Sequence, residues 1–376
     1  MRGPAVRPIV IAAGGTGGHF FPAEALAAEL LRRGHRIALM TDARSGGLTS
    51  AVFEGYERFV LSGSGIAGRS FLGGFKSITA LVRGVAQARA ILNRIGAPVV
   101  VGFGGYPCVP PALGARFAGR RIGLILHEQN AVMGRANRFL ASRADVLALS
   151  FACTSLLPPA IRAEITGNPV RPAIGALTGI PYAPLGERFH LLVLGGSLGA
   201  RVFSDVVPAA VAKLPETLRR RLSVVQQCRH EDLERVRWAY ERAGVDAELS
   251  TFFPDVAARL GAATLVIARA GASTVAELAV AGRPAILVPL PGAIDDHQTA
   301  NATALTDAGG AWVMPQPGFS AEALTVRLAG LLTDPPTLAA ASAAARTQAR
   351  ADAASRLADL VEHTLSRTPG LAGERA

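Results

Sequence analysis

The sequence predicts an α/β protein made of two open, doubly wound parallel sheets with helices on both faces. Three observations predict it. A short apolar run that exits into glycine and then into a helix-like stretch occurs four times. The two copies in the first half are echoed, in the same order, by two in the second. A chain of 376 residues, 50% of them apolar, is also too long for one compact module and ample for two cores.

In chain order, residues 8–13 read as a strand that leads through Gly14-Gly15-Thr16-Gly17-Gly18 into a helix over 23–33. Residues 98–103 exit into Gly104-Gly105-Tyr106-Pro107, and a helix-like stretch then leads to strand 122–127. The second half repeats the scheme with strand 190–194, the turn Gly195-Gly196-Ser197-Leu198-Gly199-Ala200 and a helix over 206–214. Strand 264–268 follows, with the turn Arg269-Ala270-Gly271-Ala272, a helix over 273–281 and strand 284–288. Such units open nucleotide-binding sheets, whose ligands sit at the carboxyl ends of the strands, where all four turns lie. Two prolines within Asn168-Pro169-Val170-Arg171-Pro172 break any continuing element, so domains are expected over 1–170 and 171–350. The Ala- and Arg-rich stretch 336–365 reads as helical, and the tail 367–376 as disordered.

Charge narrows the class of partner. The formal net charge is +11, and residues 1–170 hold 19 Lys/Arg against 8 Asp/Glu, so the whole excess lies in the first half. An acidic partner is expected there: nucleic acid, anionic lipid or a phosphorylated substrate. A general preference for arginine, with only Lys76 and Lys213 as lysines, would raise the count everywhere and leaves the asymmetry unexplained. Cys108, Cys153 and Cys228 show no Cys-x-x-Cys spacing and read as small buried hydrophobes in a reducing compartment. Residues 9–13 are too short for a signal peptide's apolar region, and prolines and glycines break the uncharged stretch 97–115. No segment is expected to span a bilayer, which leaves attachment to a membrane surface open.

The glycine turns carry the first chemistry. Each leaves backbone N–H groups at a helix N-terminus, where the dipole favours anions, and repetition at equivalent positions favours phosphate over simple steric need. A dinucleotide fingerprint starting at Gly15 fails, because Phe20 stands where its third glycine belongs. A Gly-Lys-Ser/Thr phosphate loop is absent. His19, at the tip of the first turn, fits either a general base or a helix-entry residue that only hydrogen-bonds phosphate or backbone. His127-Glu128-Gln129-Asn130 packs four polar residues after a strand, a pattern suited to a hydroxyl-rich ligand such as a sugar, or to a plain polar turn. Asp295, Asp296, His297, Gln298 and Asn301 repeat that signal. Glu277, on an otherwise apolar helix, could accept both ribose hydroxyls. No His/Cys cluster has metal-ligand spacing and no Asp-x-Asp pair is present, so neither metal nor cofactor is expected. A leaving diphosphate would then rest on helix termini and Arg171.

Residues 69–95 interleave Phe71, Leu72, Phe75, Ile78, Leu81, Val82 and Val85 with Arg69, Lys76, Arg83, Arg89 and Arg94. Positions 71, 75, 78, 82 and 85 follow helical spacing, and every flanking charge is basic. This fits an interfacial helix on anionic lipid through Phe71, Leu72, Phe75, Lys76, Ile78 and Val82, or a core-facing helix with arginines on its wet face.

Taken together, Gly14 to His19, Gly104 to Pro107, His127 to Asn130, Gly167 to Arg171, Gly195 to Ala200, Arg269 to Glu277 and Asp296-His297-Gln298-x-x-Asn301-Ala302 resemble the MurG family, from about residue 8 to 362. The nucleotide-side motifs are shared more widely among GT-B glycosyltransferases. The resemblance implies a GT-B fold, two Rossmann-like domains with parallel sheets facing across a cleft. The acceptor would sit on the first domain, and a final helix, about 350–366, would rejoin it. The implied reaction is inverting transfer of GlcNAc from UDP-GlcNAc to the muramoyl C4 hydroxyl of undecaprenyl-diphosphoryl-MurNAc-pentapeptide. It makes lipid II from lipid I in peptidoglycan synthesis, on the cytoplasmic side of the inner membrane, with the enzyme bound peripherally.

Carried over by position, donor contacts fall on Thr16, Gly17, Gly18, Asn130, Arg171, Ser197, Phe253, Ala272, Ser273, Thr274, Val275, Ala276, Glu277 and Gln298. Glu277 would hold the ribose and the backbone near Phe253 the uracil. Ser197, Ser273 and Thr274 would meet the diphosphate, and Asn130 and Gln298 the sugar. His19 would be the base, and Gly104, Gly105 and Tyr106 would help seat the lipid diphosphate. Two positions depart from the family pattern: Leu198 stands where many relatives have Gln, and Phe253 where a smaller aliphatic residue is common. Two alternatives stand beside this reading. One is another GT-B enzyme with a different lipid acceptor, against which Tyr106-Pro107 and the His127–Asn130 run speak. The other is a nucleic-acid-binding protein, for which 6% aromatics leaves few stacking platforms.

Overall fold

The strands at the centre of both sheets are short, wholly apolar runs, as expected where helices cover both faces. The computed structural model describes residues 7–14, 17–43, 50–62, 71–182, 188–196 and 199–367, with the backbone alone at 71–77. Thr16, Ser197, Leu198 and the tail 368–376 lie outside the described residues, as do the side chains of Phe71, Leu72, Phe75 and Lys76. Two compact units divide the chain, Met1–Arg171 with Asp352–Ala376, and Pro172–Ala351.

The first unit holds seven parallel strands: β1 (Ile9–Ala12), β2 (Ile37–Asp42), β3 (Glu57–Leu61), β4 (Val99–Gly102), β5 (Gly123–Glu128), β6 (Val146–Leu149) and β7 (Ala163–Ile165). Their order is β3-β2-β1-β4-β5-β6-β7, with Val10 opposite Val100 in the register of β1 and β4. The second unit holds β8 (Phe189–Leu194), β9 (Leu222–Gln227), β10 (Asp246–Ser250), β11 (Leu265–Ala268), β12 (Ala285–Leu287) and β13 (Ala311–Val313). Their order is β10-β9-β8-β11-β12-β13. In each sheet the winding reverses between two neighbours, β1 and β4 or β8 and β11. All four glycine turns follow those strands, at the point where doubly wound sheets open a crevice for ligands.

Two helices begin earlier than the sequence reading, which gave 23–33 and 206–214. The first helix runs Gly17–Arg32, with Pro22 inside it. The loss is one N–H that would have bonded the Gly18 carbonyl, which two further turns of buried Ala and Leu outweigh. The helix Arg201–Ala212 likewise contains Pro208. The expected helix over 336–365 is two helices, Pro335–Thr347 and Ala353–Ser366. Leu357, Ala358, Leu360 and Val361 of the last one are buried with Ile9, Val99 and Val101. Arg33 fixes its outer side, with Nη1 2.6 Å from Asp359 and 3.0 Å from Glu362.

The helix Phe71–Arg94 divides its apolar residues between two faces. Ala88 and Leu92 are buried, and Leu81 and Val85 pack against the same core. Ile78 and Val82 instead point outward, each 62% exposed. The single apolar face read from positions 71 to 85 is thus corrected: Val85 belongs to the core, and 78 and 82 to the surface. Among the described residues no helix is long and apolar enough to cross a membrane.

Candidate functional site

In the first unit the strand ends bring His19, Gly104, Gly105 and the His127–Asn130 run together. His19 is the third residue of the helix Gly17–Arg32 and is half-buried. Its Nδ1 lies 2.8 Å from Gln129 Oε1. Gly104 and Gly105 leave β4 with φ of 76° and 66°, conformations that side chains resist. A Cβ on Gly104 would lie 3.5 Å from His19 Cε1, Gln129 Oε1 and Asn137 Nδ2, in ordinary contact, so it is the positive φ that favours glycine here. Gly105 meets the other edge of the ring, where a Cβ would lie 3.4 Å from His19 Nε2.

The polar run at the end of β5 is not the open ligand-reading surface its composition suggests. His127, Glu128 and Gln129 are buried at 0%, 2% and 2% exposure, and only Asn130 is half-exposed. His127 Nε2 is 3.0 Å from the Gly167 carbonyl oxygen. Gln129 Nε2 is 2.9 Å from His127 Nδ1 and 3.2 Å from the His127 carbonyl oxygen. Burial holds the His127 pKa down at about 4, which leaves the ring neutral at pH 7. Glu128 turns the other way. Its carboxylate accepts from the Asn130 and Gly134 backbone N–H groups and from Asn137 Nδ2 at 2.8–3.0 Å. It thereby shapes the loop that carries Asn130, whose side-chain amide reaches Glu128 at 3.3 Å. Arg171 stacks on Phe21, with its guanidinium carbon 4.8 Å from the ring centroid, which places it two residues along the helix from His19. Tyr106 opens the short 3-10 turn Tyr106–Cys108 after the two glycines.

In the second unit the helix Ala272–Ala281 follows the turn after β11. Its N-cap, Gly271, makes no side-chain cap hydrogen bond, and the dipole at a helix N-terminus favours an anion. Ala272, Val275, Leu278 and Ala279 are buried, and Ser273, Thr274, Ala276 and Glu277 lie on the partly open face. Ala272 and Val275 can therefore offer a donor only their backbone. Asn301 Nδ2 donates to the Ala270 carbonyl at 3.1 Å and is itself fully buried, so it holds the turn and does not read a ligand. Arg269 clamps the ends of neighbouring elements through Val288 O at 3.0 Å and Gln316 Oε1 at 2.7 Å. Gln298 is half-buried, and its Oε1 accepts from the Leu290 N–H at 2.9 Å. Phe253 is 4% exposed under the Arg259 guanidinium, which fits a backbone role for that position. At the other turn, a Cβ on Gly195 would sit 2.3 Å from the Ala200 nitrogen, so only glycine closes it.

Spacing arguments undervalue Gln129 and His127, whose side chains stand behind His19. A usable signal exists: residues two apart leave a strand on the same face, so 127 and 129 share one side and 128 takes the other.

Comparison with known proteins fits this geometry. Residues 9–148 match the glycosyltransferase family 28 N-terminal domain and residues 190–357 its C-terminal domain. A UDP-N-acetylglucosamine–N-acetylmuramyl-(pentapeptide) pyrophosphoryl-undecaprenol N-acetylglucosamine transferase of Granulibacter bethesdensis is 62% identical over 97% of this chain and 95% of its own. The protein of that name from Acidiphilium cryptum is 54% identical over 96% of this chain and 98% of its own. The crystal structure of Acinetobacter baumannii MurG superposes with a TM-score of 0.77 at 30% identity, covering 95% of this chain and 99% of that one. With identity sustained over nearly the whole length and both domain types matched in order, the chain belongs to glycosyltransferase family 28 and, within it, to the MurG family.

Proposed function

We propose that this protein transfers GlcNAc from UDP-GlcNAc to the muramoyl C4 hydroxyl of undecaprenyl-diphosphoryl-MurNAc-pentapeptide, with inversion at the anomeric carbon. Family membership supplies the substrates. One geometrical observation carries the chemistry: His19 stands at the glycine exit of β4 with Nδ1 engaged and with no partner for Nε2 among the described residues. In the transfer, Nε2 takes the proton of the acceptor hydroxyl as its oxygen bonds to the anomeric carbon. The bond from that carbon to the diphosphate oxygen breaks, and UDP leaves with the electron pair. The open N-terminus of the helix Ala272–Ala281, the Ser273 and Thr274 hydroxyls, Ser197 and Arg171 meet the charge that develops there. Glu277 holds the ribose, the Phe253 backbone the uracil, and Asn130 and Gln298 the sugar, while Thr16, Gly17 and Gly18 line the donor. Gly104, Gly105 and Tyr106 seat the lipid diphosphate.

Incubation with labelled UDP-GlcNAc and a lipid I analogue is expected to give a product one GlcNAc heavier. Transfer to diacylglycerol in place of the muramoyl acceptor would overturn the assignment in favour of the other lipid-acceptor reading.

The same reading places the enzyme on the cytoplasmic membrane surface. Ile78 and Val82, both exposed on the helix Phe71–Arg94, share it with Arg83, Arg89 and Arg94 and with no acidic residue. Phe71, Leu72, Phe75 and Lys76 extend the patch in sequence. Replacing both Ile78 and Val82 with Glu is expected to lower binding to vesicles containing anionic lipid at least tenfold, measured by co-sedimentation. Activity on a water-soluble acceptor should be unchanged. Equal vesicle binding by wild type and variant would remove this surface from the proposal.

A further inference from the structure

The hydrogen bonds behind His19 form one chain whose polarity can be worked out from its far end. A carbonyl oxygen only accepts, so the 3.0 Å contact to Gly167 O puts the His127 proton on Nε2. His127 is buried and neutral, so its Nδ1 carries a lone pair and must receive a hydrogen. The group 2.9 Å away is the Gln129 carboxamide, which also lies 3.2 Å from the His127 carbonyl oxygen. Only an NH2 group satisfies two acceptors at once. With the amide nitrogen committed there, Gln129 Oε1 is the atom left to face His19 Nδ1 at 2.8 Å. An oxygen with no hydrogen requires a donor, so Nδ1 is the protonated nitrogen of His19. The lone pair of the neutral ring is then on Nε2, the edge beside Gly105. Reversing the amide would set oxygen against two acceptors and NH2 against Nδ1, so the orientation is specified by its surroundings.

We propose that Gln129 is a positioning residue for the transfer: held by His127, its carboxamide fixes His19 in the Nδ1–H tautomer and so keeps Nε2 available to accept the acceptor's proton. This rests on the reading of His19 as the base. A carboxylate often does this work beside a catalytic histidine; here a neutral amide does it, orienting the ring while adding no charge.

Gln129→Leu removes the acceptor and the amide donor at similar volume. Its kcat is expected to fall about 10- to 100-fold, with donor KM within about twofold. In a His19→Ala background the same substitution should cost nothing further, because Gln129 acts through that ring. Nitrogen-15 NMR of the histidine-labelled wild-type chain should show His19 protonated at Nδ1 and bare at Nε2, and the variant should show a mixture. Three results would overturn the proposal: an unchanged kcat in Gln129→Leu while His19→Ala is inactive, losses that multiply in the double variant, or a wild-type His19 protonated at Nε2. The NMR result stands even if the variant folds poorly. A His19→Ala enzyme with normal kcat would instead remove the base reading itself, which separates the two failures.

Discussion

Replacing His19 with alanine is expected to lower kcat about 10²- to 10⁴-fold, the range that a well-placed general base contributes, while donor KM stays within about twofold. The asymmetry follows from where the residue sits. His19 is in the first unit, beside Gly104 and Gly105, whereas the open helix terminus and Glu277 belong to the second. A side chain that acts only as the acceptor hydroxyl loses its proton contributes to the transition state and little to donor binding. Its removal therefore lowers kcat and kcat/KM together. The alternative role, a hydrogen bond to phosphate or backbone, predicts the reverse: a raised KM with kcat nearly intact. Initial rates at saturating and subsaturating UDP-GlcNAc separate the two, and a kcat near wild type would demote His19 to a binding residue. The fold should tolerate the change, because the ring is half-buried and alanine favours a helix.

The fold was legible because its signals are local. Apolar runs such as Val99–Gly102 and Leu265–Ala268 announce strands covered on both sides, and each exits into glycine where the chain must turn tightly. What the sequence hid depends on three dimensions. Pro22 stands before the helix read over 23–33, yet it lies inside a helix that starts at Gly17 and whose buried face outweighs one missing N–H. The run His127–Asn130 looks uniformly polar, yet three of its side chains turn inward to satisfy the Gly167 carbonyl, the Gly134 N–H and His19. Composition reports that a residue is polar, not which buried partner it meets, so Gln129 could be noticed but not assigned. Asn301 shows the same limit from the other side: a polar residue in a ligand-like cluster whose amide is spent on the Ala270 carbonyl.

Glu277→Ala is expected to raise the donor KM roughly 10- to 100-fold while leaving kcat at saturating donor nearly unchanged. Ser273 and Glu277 are four residues apart on the helix Ala272–Ala281, so they lie on one face about 6 Å apart along its axis. The uncapped N-terminus favours phosphate at the Ser273 end, which leaves the carboxylate one turn along for the ribose. A carboxylate accepts from two hydroxyls at once, and hydrogen bonds to a charged partner contribute about 1.5–3 kcal/mol, which is the origin of the expected factor. The ribose does not react, so this binding is the same before and in the transition state, and its loss appears in KM alone. Alanine is a good helix former at this position, so the helix and its phosphate-facing end should survive. The rise in melting temperature on adding UDP gives an independent reading: large for the wild type, and much reduced for the variant at the same concentration. If KM and the UDP-induced shift both match the wild type, Glu277 does not hold the ribose, and the nucleotide does not lie along this helix.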